Sequence, residues 1–139
     1  MAKTIIFTDG SCLGNPGRGG WAFASQTTRQ SGGEPMTTNN RMELLATINA
    51  LESVSAGADV EIHTDSQYVK NGMETWIKNW KRRGWRTADG GAVKNRDLWE
   101  RLDGLVNARQ VSWAWVKGHD GDEMNELVDN LARLAAEAQ

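Results

Sequence analysis

The sequence predicts an α/β fold, a mixed sheet flanked by helices, and three observations carry that prediction. Up to Thr37 the chain consists of short strand-like stretches separated by Gly-rich turns, the pattern of antiparallel hairpins. From Asn39 onward, helically spaced segments take turns with alternating ones, the order that lays helices on a sheet. Two apolar strands, ending Ile5-Ile6-Phe7 and Ile62-His63-Thr64, run into Asp9 and Asp65. Open α/β sheets place their ligands at such carboxyl ends.

Residues 3 to 9 form the first strand. The Gly-, Asn- and Pro-rich stretch Gly10-Ser11-Cys12-Leu13-Gly14-Asn15-Pro16-Gly17 comes next, as a turn small enough for a ligand to approach the backbone. Gly19 to Ser25 reads as a second strand with Trp21 and Phe23 on one face. Gly32-Gly33 interrupts the next stretch and leaves a third strand near Glu34 to Met36. A helix starts at Asn39 or Asn40, carries Leu44, Leu45, Ile48 and Leu51 on its apolar face, and ends before Gly57. Val60, Ile62 and Thr64 alternate with Glu61 and His63, a strand. A short helix from Ser66 to Asn71 stops at Gly72, and another runs from about Met73 to Lys81. Arg82 to Lys94, with Gly84 and Gly90-Gly91, reads as a protruding loop. Beyond it lie a helix over Asp97 to Val106 and a strand with Val111, Trp113 and Trp115. The loop Lys117 to Asp122 then leads to a C-terminal helix that turns Met124, Leu127, Val128, Leu131 and Leu134 inward.

A chain of 139 residues fits a single domain, 1–139, and is long enough to cover a sheet with helices. No apolar stretch is long enough to cross a membrane, and no signal peptide precedes Lys3. The lone Cys12 forbids an internal disulfide and suits a reducing compartment, so a cytoplasmic location is expected. The net charge of −2 argues against nucleic acid until its distribution is considered. Lys78 to Arg96 holds seven basic residues against the single Asp89, a surplus of six, which leaves −8 on the remainder. A basic stretch on an acidic body suits a polyanion contacted at one patch.

Each candidate carboxylate has a plain structural alternative. Asp9 can be a turn former and Asp65 an N-cap for the helix at Ser66. Glu43 stands where the acid of a capping box with Asn40 belongs. Asp129, at about 100° per residue, points away from the apolar stripe of its helix. His63, mid-strand, suits a packed or solvated role. His119, between Gly118 and Gly121, is either a solvated loop residue or a proton shuttle.

Taken together, Phe7-Thr8-Asp9-Gly10-Ser11, Asn39-Asn40-Arg41-Met42-Glu43-Leu44, Thr64-Asp65-Ser66-Gln67-Tyr68-Val69, Trp76-Ile77-Lys78-Asn79-Trp80, Trp115-Val116-Lys117-Gly118-His119 and Asn125-Glu126 through Asp129 resemble bacterial type 1 ribonuclease H, in family order and over nearly the whole chain. The resemblance implies a ribonuclease H-like fold, a five-stranded mixed sheet flanked by helices. It also implies Mg²⁺-dependent cleavage of the RNA strand of RNA–DNA hybrids. It makes Asp9, Glu43, Asp65 and Asp129 metal ligands: Asp9 bridges two ions, Glu43 and Asp65 complete the leaving-group side, and Asp129 completes the water side. Two such ions stand about 3.5–4 Å apart, and Mn²⁺ can substitute. His119 assists proton transfer or product departure.

Hybrid-contacting positions implied by the resemblance are Cys12, Asn15, Asn39, Asn40 and Gln67. Thr38 and Asn95 hold a DNA phosphate, and Trp76 and Trp80 lie beside the DNA strand. Asn79, Lys81, Arg82, Arg83 and Arg86 belong to the basic protrusion that grips phosphates. Packing of the protrusion is the alternative role for Trp76, Trp80, Trp85 and Trp99. Asp122 stands where type 1 enzymes often carry a second His. No separate hybrid-binding domain is expected ahead of the first strand, and the expected state is a monomer without an obligatory protein partner. Two other functions are compatible with such a fold: a non-catalytic hybrid-binding module, and another nuclease such as a junction resolvase.

Overall fold

The computed structural model describes residues 3–116 and 123–139. Five strands, β1 (Thr4–Leu13), β2 (Gly17–Ala24), β3 (Arg29–Thr37), β4 (Asp59–Thr64) and β5 (Gln110–Trp115), form one sheet in the order β3-β2-β1-β4-β5. The β1–β2 and β2–β3 pairs are antiparallel, and β1–β4 and β4–β5 are parallel, so β1 joins the two halves of the mixed sheet.

The alternation of each strand divides the core between two faces. Ile6, Phe23, Val60 and Ile62 pack with Leu44, Ile48 and Leu51 of α1 (Asn39–Glu52) and with Leu98, Trp99 and Leu102 of α4 (Arg96–Asn107). Ala22 and Ala24, on the opposite face, pack against Val128 and Ala132 of α5 (Glu123–Glu137). Small alanines here let α5 lie close to the sheet. Leu134 of α5, expected inward, is instead exposed, because the buried line of that helix runs through Val128, Ala132 and Ala136. Among the described residues no helix is long and apolar enough to cross a membrane.

Three further expectations are corrected. First, β1 does not end at Asp9. It pairs in parallel with β4 only from Thr4 to Phe7, then continues to Leu13 as the antiparallel partner of β2, and the turn falls at Gly14-Asn15-Pro16. Second, β3 is a full strand through Gly32-Gly33, because flat glycines there let it pass the Trp21 ring and the β2 backbone. Third, Gly72 ends no helix. Helix α2 (Gln67–Asn71) passes through a π-helical turn, Gly72–Trp76, straight into α3 (Ile77–Arg82). Gly72 is buried against Trp99, whose ring occupies the place a Cβ would take. The structural alternative for Glu43, a capping box with Asn40, is not realised. The cap of α1 is Thr38, whose Oγ1 accepts from the Arg41 amide at 3.3 Å.

Candidate active site

The parallel register of β1 and β4 matches Phe7 to His63, so Asp9 and Asp65 lie two residues beyond the same rung and come level at one edge. Helix α1 descends on that edge at Gly10. A Cβ there would stand 2.5 Å from the Glu43 amide nitrogen and 2.6 Å from the Met42 carbonyl carbon, so only glycine lets the helix backbone come so near. The Gly10 N–H donates to Asp9 Oδ1 at 3.0 Å and to Glu43 Oε1 at 3.3 Å. One carboxylate oxygen from each of Asp9, Glu43 and Asp65 lies within 4.8 Å of the others. Asp129, from α5, lines the same recess of about 410 Å³ and shares a side-chain hydrogen bond with Asp9.

Crowding acids out of water makes their charged forms unfavourable. Burial first, then the Asp65 charge and the bond to Asp129, push the Asp9 carboxyl from an ordinary 3.8 up to about 8. Burial, and after it the Asp9 and Asp65 charges, holds Glu43 well above the ordinary carboxylate range. The donors are all hard carboxylate oxygens without sulfur or imidazole, which suits a divalent cation of the Mg²⁺ or Mn²⁺ kind.

Asn39, Asn40 and Gln67 line the same recess. Asn15 Oδ1 accepts from the Asn39 amide at 3.2 Å and so ties the β1–β2 turn to the start of α1. Cys12 Sγ lies 3.6 Å from the Thr37 carbonyl oxygen and 3.7 Å from that of Gly17. Ser66, and not Asp65, caps α2 by accepting from the Val69 amide at 3.1 Å. His63 pairs with Glu61 at 2.6 Å and packs on Phe7, apart from the recess.

Trp76, Trp80, Trp85 and Trp99 form one aromatic cluster with Tyr68, with ring centroids 5.2–6.4 Å apart. Arg82, Arg83 and Arg86 are exposed beyond it. Asn79 accepts from Arg82, and Lys81 is paired with Asp103 at 3.0 Å. His119 lies outside the described residues. Sequence reasoning missed Tyr68, which lines the recess, and the pair formed beside it by Arg41 and Asp97. Arg41 precedes Glu43 by only two residues, but nothing in its spacing reveals a partner 56 positions away.

The RNase H family model matches residues 1–137. A ribonuclease H of Nitrobacter hamburgensis is 58% identical over 137 residues, covering 96% of this chain and 91% of that protein. A ribonuclease HI of Xylella fastidiosa is 56% identical, covering 100% of this chain and 95% of that protein. Among solved structures, LC9-RNase H1, described as a type 1 RNase H with the type 2 active-site motif, superposes with a TM-score of 0.83 at 34% identity, over 100% of this chain and 75% of that one. A foamy viral protease-reverse transcriptase in complex with RNA/DNA hybrid shares the fold, at TM-score 0.84 and 17% identity, over 98% of this chain and 20% of that one. With a family match along nearly its whole length and relatives above half identity, this chain belongs to the ribonuclease H family.

Proposed function

We propose that this chain is an endonuclease that hydrolyses the RNA strand of RNA–DNA hybrids with Mg²⁺. The observation that carries the reading is the meeting of Asp9, Glu43, Asp65 and Asp129, from four separate elements, in one recess. A pure binding module gains nothing from acids that repel one another and oppose folding. A hydrolase needs them charged when a cation is bound.

Asp9, Glu43 and Asp65 are assigned to one Mg²⁺, and Asp9 with Asp129 to a second. The family resemblance gives Asp9 a part in holding both ions, and its place within 4.8 Å of the Glu43 and Asp65 oxygens and beside Asp129 supports that reading. When bound, the pair of ions supplies an activated water and offsets the charge that develops on the phosphate. The Gly10 N–H orients the Asp9 and Glu43 oxygens by donating to both. His119 is assigned the movement of a proton on its residue type and family resemblance. Asn39, Asn40 and Gln67, on the recess walls, offer amides to the 2′-hydroxyls that mark the RNA strand. Cys12 and Asn15 extend that surface. Thr38 and Asn95 take a DNA phosphate, with Trp76 and Trp80 beside that strand and Asn79, Lys81, Arg82, Arg83 and Arg86 as the sequence-independent grip. We assign the activity to a monomeric single domain, and the lone cysteine supports the cytoplasm.

A gel assay on labelled RNA–DNA hybrid, duplex DNA, duplex RNA and single strands, with and without Mg²⁺, tests this. RNA should be cut only in the hybrid and only with metal. Asp9→Asn should abolish turnover and keep most hybrid binding, since it removes a ligand and not the grip. Cleavage by that variant within a few fold of wild type would sink the assignment.

A further inference from the structure

Asn95 stands at the N-cap position of α4 with φ 60° and ψ 29°, yet its side chain makes no capping hydrogen bond. Asn tolerates this left-handed conformation better than most residues, but the conformation still costs energy. A capping bond would offset part of that cost. The side chain is instead held from both ends. Its Oδ1 accepts from Arg41 Nη1 at 3.1 Å, and its Nδ2 donates to the Tyr68 hydroxyl at 3.0 Å. A guanidinium can only donate, so Arg41 decides which end of the amide faces α1. Asp97 in turn clamps Arg41 with two bonds, Nη1 to Oδ1 at 3.1 Å and Nη2 to Oδ2 at 2.9 Å. Two bonds to one carboxylate fix the guanidinium's geometry as well as adding strength. One amide hydrogen of Asn95 is left beyond its bond to Tyr68.

We propose that Asp97 is a positioning residue for the DNA strand of the hybrid: by clamping Arg41 it holds the Asn95 amide in the orientation that meets a phosphate. This rests on the reading of Asn95 as a DNA-phosphate contact. Asp97 itself does not line the recess, and its side chain is 65% exposed. Bare Coulomb attraction predicts the opposite sign, because removing an exposed negative charge beside a polyanion should tighten binding. The clamp predicts weaker binding, and the two accounts separate on the sign alone.

The experiment uses the full chain as wild type, Asp97→Ala, Asp97→Asn, Asn95→Ala and the Asp97→Ala/Asn95→Ala double variant. Hybrid affinity is measured in EDTA at fixed KCl, and KM and kcat in Mg²⁺. Asp97→Ala should weaken binding about tenfold, the usual size for a lost charge-assisted bond. The loss should fall in KM rather than kcat. Asp97→Asn keeps one acceptor oxygen and should lie between Asp97→Ala and wild type. The double variant should bind no worse than Asn95→Ala, the non-additivity expected of groups acting in series. Asp97→Ala binding as tightly as wild type or tighter, or additive losses in the double variant, would overturn the proposal. Should Asp97→Ala melt below the assay temperature, Asp97→Asn carries the same comparison. A wild-type protein that neither binds nor cuts hybrid would overturn the functional reading itself, whereas a competent wild type with an indifferent Asp97→Ala overturns only the clamp.

Discussion

On the proposed assignment Asp9 meets two opposed demands: it is buried among other acids, yet it must be ionised to hold a cation. Its carboxyl is pushed up to about 8 in the folded chain. A carboxyl whose folded value is raised contributes stability that is complete below its unfolded value and is lost as pH rises through the folded one. For Asp9 that window opens near 3.8 and closes near 8. In EDTA the wild type should therefore lose stability across this range, and Asp9→Asn should escape the share of the loss due to Asp9. Scanning calorimetry should show the Tm advantage of Asp9→Asn widening from about pH 5 to about pH 8. A difference that stays constant over that range would mean that Asp9 titrates as an ordinary exposed acid. At this scale the sequence was half legible. Asp9 and Asp65 were visible because an apolar run, Ile5-Ile6-Phe7, leads into the first and an alternating strand, Val60 to Thr64, into the second. Glu43 was disguised by its capping-box spacing from Asn40, and only the approach of α1 to Gly10 shows where it points. Asp129 lies off the apolar stripe of α5 because that stripe covers the sheet, while the side chain beside it faces the recess.

Among the elements, the helical run from α2 to α3 shows why the remainder was hard to read. A glycine within a helical pattern marks either an end or a close contact, and sequence does not say which. At Gly72 the answer depends on Trp99, 27 positions away, whose ring fills the space beside it. The inserted π turn also changes the helical phase between Tyr68 and Trp76, and both rings meet Trp99. Strand β1 was misjudged for a related reason, since Asp-Gly reads locally as a turn while pairing with β2 carries the strand on to Leu13. The protrusion beyond α3 was legible as a loop from its glycines and charges. Replacing Lys81, Arg82, Arg83 and Arg86 with Ala should weaken hybrid binding for every sequence alike and flatten the slope of log K against log salt by up to about three. Lys81 should contribute least, because Asp103 already holds it. Titrations over a range of KCl check this, and an unchanged slope would return the basic run to a solvated surface.

For the whole molecule, the mixed sheet was legible in the order of segments, and the family match extends over residues 1–137. A recess of crowded acids makes ion binding and folding one equilibrium. If Mg²⁺ binds the folded chain as proposed, it should raise the Tm with increasing concentration. Because cation ligands must lose their protons and Asp9 holds one near neutrality, binding should release protons. Calorimetric titrations at pH 7 in buffers of different ionisation enthalpy should report that release, and identical heats in both buffers would count against it. The four carboxylates come from β1, α1, the end of β4 and α5, so they span the chain from Asp9 to Asp129. That spread bears on how the protein is made. A nascent chain whose last helix is still inside the ribosome lacks Asp129 and the cover of one sheet face. On the proposed assignment of Asp129, such a chain should pass through synthesis unable to cut, with nuclease activity beginning only after α5 has emerged and docked.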